Sequence, residues 1–246
     1  NARATAASLH AGELVQAAEA IPKHKGDVYD EGQKLVDYLR NPQEEMAKVR
    51  GLMFHWFLGG SVASAAVNMT QSMTMTYPWL AVKDGAGKAA KRVTAAMKHA
   101  AKGDYQGDIK AALERARRDG IVNAQAVHML QGEASRNLGS NLTLRKGLHA
   151  WGYMFQAAEK FNREVAFLAA YEQGKEIGVD PYEHAVRAVN ETQGLYNKGN
   201  RPDWARGNVG SVVFTFKQFS IAYIEFPARM LKNKESRPAG LLAVGV

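Results

Sequence analysis

The chain has 246 residues, of which 46% are hydrophobic and 23% charged, and this length can form one large domain or two small ones. This composition is typical of a globular protein and excludes a disordered tail. The sequence contains no cysteine, which excludes a disulfide scaffold, a thiolate metal site and a cysteine nucleophile.

The formal net charge of +8 is unevenly distributed along the chain. Residues 51–82 carry no charged side chain, whereas residues 83–118 carry 10 basic and 4 acidic side chains. A smaller excess, 7 basic against 3 acidic side chains, lies in residues 201–246. Basic blocks of this kind suggest a polyanionic partner, either nucleic acid or anionic lipid headgroups, and the alternative interpretation is a solvated helix face.

The N-terminal part of the chain predicts two helices. Apolar residues at helical spacing predict the first over residues 2–20, ended by Pro22, and an amphipathic pattern predicts the second over residues 30–40. Asn41 and Pro42 then form a helix start, with a capping residue followed by a proline suited to the first turn. We therefore expect N-terminal helices over residues 1–42 and a main helical domain over residues 43–246, the alternative being one domain throughout.

The rest of the chain also has mainly helical periodicity. Helices are predicted over 85–102, 104–118 and about 143–177, the last ended by Gly178, and Asp180-Pro181 starts another that reaches about residue 194. A loop follows over 194–210. Residues 211–232 alternate like a strand, but their aromatic residues recur at steps of three and four, which favours a helix kinked at Pro227. These patterns predict an all-α fold: an irregular multi-helix bundle with the long 143–177 helix and a 43–68 helix at its centre, and no sheet.

The uncharged residues 51–82 have the length and part of the composition of a membrane helix. Aromatic residues lie near both ends of the run, as in the aromatic belt of a membrane helix. Small residues follow the first of these aromatic residues and would allow another helix to approach closely. The second half is polar, however, which disfavours lipid. Two interpretations remain open, a buried central helix of a bundle and a helix that enters a membrane conditionally. The membrane candidates are Trp56, Gly59, Gly60, Tyr77 and Trp79, with Arg50 bordering the run.

The basic residues after this run form a second candidate surface. Binding to phosphates through them would be independent of base sequence and strongly dependent on salt. Aromatic residues for base stacking are almost absent between them. The candidates for contact with nucleic acid or anionic lipid are Lys88, Lys91, Arg92, Lys98, Lys102, Arg115, Arg117 and Arg118.

The sequence predicts no enzyme site. Its seven histidines match no metal-binding spacing, and no catalytic signature such as HExxH, GxGxxG or GxSxG is present. We accordingly assign no catalytic residue, no metal ligand and no cofactor.

Three segments in a fixed order carry a family resemblance: AVNMTQSMTMTYPWLA (66–81), AEKFNREVAFLAAYEQG (158–174) and the stretch 191–231, which contains NRP and FKQF. Together they resemble the C-terminal helical region of the very large phage and prophage polyvalent proteins often labelled by a PLxRFG domain, although the PLxRFG string itself is absent. The positions that match are Asn68, Gln71, Pro78, Phe161, Asn162, Arg163, Asn200, Arg201, Pro202, Phe216, Lys217 and Phe219.

The resemblance implies a non-enzymatic piece of a longer phage internal virion or ejection protein, which helps DNA to pass the host envelope. It implies a location in the virion and, after infection, in the host envelope or cytoplasm. The expected partners are other virion proteins or the rest of its own chain, a second copy of itself, the DNA backbone and the membrane. Two alternatives remain open: a soluble, non-specific DNA-binding helical domain, and a helical scaffold that packs on a catalytic domain outside this sequence through Phe219 and Tyr223.

Overall fold

The computed structural model of the chain describes residues 12–40, 46, 49–50, 53, 66, 68–124, 152–193 and 203–245. Within 203–245, the side chains of residues 215–216, 218–223 and 243–245 lie outside this description. The described part is 84% helical and contains no strand, which confirms the predicted all-α fold.

Nine α-helices are described, together with three short helical turns. The α-helices are α1 (12–19), α2 (Asp27–Arg40), α3 (Tyr77–Asp84), α4 (Ala86–Lys102), α5 (Gly107–Arg118), α6 (Tyr153–Ile177), α7 (Pro181–Thr192), α8 (Gly207–Lys232) and α9 (Arg237–Gly245). A π-helical turn, Ser72–Thr76, leads directly into α3. Single 3-10 turns occupy Lys23–Lys25 and Asp203–Ala205.

Helix α6 lies at the centre of the bundle, as predicted, and packs against α3, α4, α5 and α7. Its middle turns are covered on every side, since Val165, Ala166 and Phe167 are all fully buried. These three residues point in successive directions 100° apart, so neighbouring elements enclose this part of the helix. The described part of α6 begins at Tyr153, and residues 143–151 of the predicted helix lie outside the described residues, as does most of the predicted 43–68 helix.

Local sequence signals explain the junction between α6 and α7. Gly178 ends α6 with φ of 75°, a left-handed conformation that glycine adopts without strain. The Asp180 carboxylate then accepts hydrogen bonds from the backbone N–H groups of Tyr182 and Glu183, at 2.9 and 3.0 Å, which caps α7 as predicted. Gly174 allows the two helices to approach closely, because a Cβ atom there would lie 2.9 Å from the Cα atom of Pro181.

The C-terminal part differs from the prediction in two places. Helix α8 includes Pro227, so the helical interpretation of residues 211–232 is confirmed, but the helix begins four residues earlier, at Gly207. Helix α9, which the periodicity did not indicate, packs back on α3 and α8. Its buried Ala239 and the close approach of Gly240 to the Met230 side chain depend on small residues, which give no strong amphipathic pattern in sequence.

Candidate functional site

The predicted basic surface lies on α4 and α5, and half of its cations are held by carboxylates of the same chain. Arg92 contacts Asp84 at 2.7 Å and Glu176 at 2.5 Å, and Lys88 also pairs with Glu176. These hydrogen bonds, first from Lys88 and then from Arg92, lower the pKa of Glu176. Lys88 and Arg92 therefore join α4 to the C-terminal end of α6.

The arginines of α5 have a similar structural role. Arg117 donates two hydrogen bonds to Glu164 of α6, at 2.9 and 3.1 Å. The guanidinium of Arg115 lies 3.8 Å from the ring centroid of Tyr182 and 3.5 Å from the carboxylate of Asp119. The Tyr182 hydroxyl donates to the same Asp119 at 2.6 Å. Both arginines thus bind α5 to the neighbouring helices, and these contacts compete with binding to a polyanion.

Three lysines of α4 form a different kind of surface, which we call the lysine face: Lys91, Lys98 and Lys102. At 100° per residue they project within about 40° of one another and extend along about 16 Å of the helix axis. All three are exposed, and none forms an ion pair with any carboxylate of the described residues. Arg118, at the end of α5, is likewise exposed and without an ion pair in the described part of the chain.

The membrane candidates fall into two groups. Trp56, Gly59 and Gly60 lie outside the described residues. Tyr77 and Trp79 lie on α3, where both are partly buried against the core. Among the helices that the structure describes, none is long and apolar enough to cross a membrane.

The polar half of the uncharged run packs against α6 and α7 through what we call the polar seam: Asn68, Ser72, Thr76, Asn162, Thr192 and Gln193. Asn162 of α6 lies between two points of the run, since its amide N–H donates to the Asn68 carbonyl and its carbonyl accepts from the Ser72 hydroxyl at 2.9 Å. Four residues later, the Thr76 hydroxyl lies 3.3 Å from that of Thr192 and 3.1 Å from the Gln193 amide.

Arg163, next to Asn162, is fully buried and ties α6 to two separate segments. Its guanidinium donates to the backbone carbonyls of Ile121 at 3.1 Å and Gln193 at 3.5 Å, and its Nε lies 3.4 Å from Glu159. A guanidinium with several donors in one plane suits such a junction. The structure thus places Asn162 and Arg163 in hydrogen bonds to backbone carbonyls inside the protein.

The remaining positions of the family resemblance are scattered. Gln71 and Pro78 are buried, Phe161 is partly buried and Lys217 is exposed. Asn200, Arg201 and Pro202 and the side chains of Phe216, Phe219 and Tyr223 lie outside the description.

Sequence reasoning missed a cleft of about 490 Å³ between α3, α6, α7 and the end of α8. We call it the tryptophan cleft. Its lining includes Trp79, Gln173, His184, Arg187 and Arg229. These residues come from four helices separated by long stretches of chain, so no local motif could have indicated them.

Hydrogen bonds fix the walls of the tryptophan cleft. The Glu191 carboxylate accepts from the Trp79 indole N–H at 2.7 Å and from Arg187 at 2.7 Å. The buried Gln173 amide donates to the Leu80 carbonyl at 3.0 Å, which leaves its oxygen to accept from His184 Nε2 at 3.0 Å. The imidazole also lies against the indole, with 5.1 Å between the ring centroids.

These contacts fix the protonation of His184. Burial, and then the nearby Arg187 cation, lower the pKa of the imidazole below its ordinary value. This favours the neutral ring, and the hydrogen bond to the Gln173 oxygen places the hydrogen of the neutral ring on Nε2 and its lone pair on Nδ1. Within the described residues, Nδ1 forms no hydrogen bond.

The described residues contain no group of His, Asp and Glu side chains that could hold a metal ion. No protein-family model, curated protein sequence or solved structure matches this chain.

Proposed function

We propose that this chain is a non-enzymatic helical module of a large phage internal virion protein, which accompanies the genome, contacts the DNA backbone and assists DNA delivery through the host envelope. The observation that carries the DNA contact is the lysine face. Its three cations lack partner carboxylates in the described residues, whereas Lys88 and Arg92 on the same helix are ion-paired. Free, aligned cations on a rigid helix suit a row of phosphates, and such contacts carry no sequence information.

The DNA contact is tested by the salt dependence of binding to a duplex. If the lysine face neutralises three phosphates, the triple variant K91Q/K98Q/K102Q should flatten the slope of log K against log salt concentration by about 2.7. The matched control is K25Q/K110Q/K234Q, which removes the same charge from exposed lysines elsewhere. Equal slopes for the two variants would contradict a specific role of the lysine face.

The virion assignment rests on the family resemblance and separates this proposal from a cytoplasmic DNA-binding domain. We expect mass spectrometry of purified particles to detect the protein before genome ejection and to find it depleted from the emptied particles afterwards. Its absence from intact particles would favour the cytoplasmic alternative.

The envelope part of the proposal depends mainly on residues 51–67, most of which lie outside the described residues. Flotation with neutral and anionic vesicles, followed by an alkaline wash, measures it directly. Retention after the wash supports insertion of the uncharged run. Binding only to anionic vesicles at low salt points instead to the basic surface.

A second candidate function, a scaffold that packs on another polypeptide, is favoured by the outer side of α8. Val209 and Ile224 are 75% and 72% exposed, and Val213 is also exposed. At 100° per residue the three lie within about 60° around the helix. Sedimentation of the chain, alone and as V209S/I224S, tests whether this side joins two copies. A monomer in both forms would remove self-association from this candidate.

A further inference from the structure

We propose that the tryptophan cleft binds a small ligand with a flat apolar body and an anionic group, of the class of nucleoside monophosphates. This site is independent of the lysine face, and its test does not depend on the DNA contact. Its volume, about 490 Å³, lies in the range of small-molecule sites.

Side chains of α3 and α8 form the apolar part of the cleft. Trp79 of α3 forms one wall, and its ring is held in place by the hydrogen bond to Glu191 and the contact with His184. Phe226 and Met230 of α8 also line the cleft and are almost fully buried. A cleft lined by aromatic and thioether side chains favours contact with a flat apolar body.

The polar groups left free in the cleft are mostly donors. Lys83 and Arg229 line it, are exposed and form no ion pair within the described residues. Arg187 is already paired with Glu191 and so contributes less free charge. One further carboxylate, that of Glu235, lies at the cleft. Two free cations exceed this single carboxylate, so the cleft favours an anion over a cation.

The hydrogen-bond acceptor in the cleft, on His184, further restricts the class of ligand. Gln173 occupies Nε2 of His184, so only Nδ1 is left to accept a hydrogen bond. A ligand that carries a hydroxyl or amino donor near its apolar body would satisfy this lone pair. A base or sugar linked to a phosphate combines all three features, whereas inorganic phosphate supplies only the anion.

The test is a calorimetric titration of the 246-residue chain with AMP, with adenosine and inorganic phosphate as separate probes. We expect AMP to bind at least about tenfold more tightly than either fragment, because it uses both the apolar walls and the cations. The variant K83Q/R229Q alters exposed side chains only, and it should weaken AMP binding about tenfold or more.

The matched control is K25Q/K110Q, which removes two charges from exposed lysines outside both the cleft and the lysine face and should leave AMP binding unchanged. Circular dichroism of both variants verifies that they remain helical. The proposal would be overturned by no AMP binding, by an affinity for AMP no higher than that for adenosine or inorganic phosphate, or by an unchanged affinity in K83Q/R229Q. Equal weakening in both double variants would also overturn it, since that would reflect net charge alone.

Discussion

At the scale of single residues, Asn162 shows how one polar side chain can define a contact between distant segments. Its amide satisfies both a backbone carbonyl and a hydroxyl of the uncharged run, and it is fully buried. Removing such a group leaves the partners desolvated and unpaired, and that loss exceeds the net gain of an ordinary hydrogen bond.

We therefore expect Asn162→Ala to lower the free energy of unfolding by about 1–3 kcal/mol. Urea denaturation followed by circular dichroism measures this change. Asn123→Ala is the control, because the Asn123 amide makes only a local hydrogen bond to the Arg117 carbonyl at a partly buried position. Equal losses in the two variants would show that Asn162 has no special role.

His184 gives a second prediction at this scale. Its pKa is lowered in the folded protein, chiefly by burial and then by Arg187, with a smaller contribution from Lys83. Above about pH 6.5 the ring is neutral in both the folded and the unfolded chain, and stability is unaffected. As the pH falls below 6.5 towards the lowered folded pKa, the unfolded chain takes up the proton first and stability decreases.

The variant His184→Gln separates this effect from the other titrating groups, since glutamine retains an amide donor for Gln173. Thermal denaturation between pH 7.5 and about pH 5 should show a larger loss in the wild-type chain than in the variant. Parallel curves would contradict a neutral, partly buried imidazole.

At the scale of helices, close packing of α6 and α7 depends on the absence of one side chain. We expect Gly174→Ala to destabilise the protein by about 1–3 kcal/mol, because the new methyl group would meet the Pro181 backbone. Gly87→Ala, also helical but with open space around it, should be neutral or stabilising. The midpoints of denaturant unfolding of both variants measure these changes in stability. An unchanged midpoint for Gly174→Ala would mean that the two helices can separate slightly.

The helices were largely predictable, whereas the partners of their side chains were not. The Asp180-Pro181 start, the Gly178 end and the period of α6 are local signals, and the structure follows them. The ion pairs of Lys88 and Arg92 with Glu176 join residues more than 80 positions apart. The distribution of charge along the sequence therefore indicates a basic block. It does not distinguish the cations that form ion pairs within the fold from those that form none.

At the scale of the whole molecule, Arg163 connects α6 to the segments that follow α5 and α7. We expect Arg163→Met to lower the free energy of unfolding by about 3–5 kcal/mol, since it leaves Glu159 as a buried charge without this cation. The double variant E159Q/R163M should recover part of this loss, as measured by denaturant unfolding. If the double variant is no more stable than Arg163→Met, the backbone hydrogen bonds of Arg163 dominate instead.

The polar seam also has a consequence for the accuracy of folding. An apolar segment lying on an apolar helix can shift by one turn and still bury a similar area, so several alignments compete. Here Ser72 must meet Asn162, and Thr76 must meet Thr192 and Gln193. A shift of one turn would leave every one of these groups buried without its partner. The seam thus selects a single alignment of the uncharged run on α6 and α7, and it excludes the neighbouring alignments that apolar packing alone would tolerate.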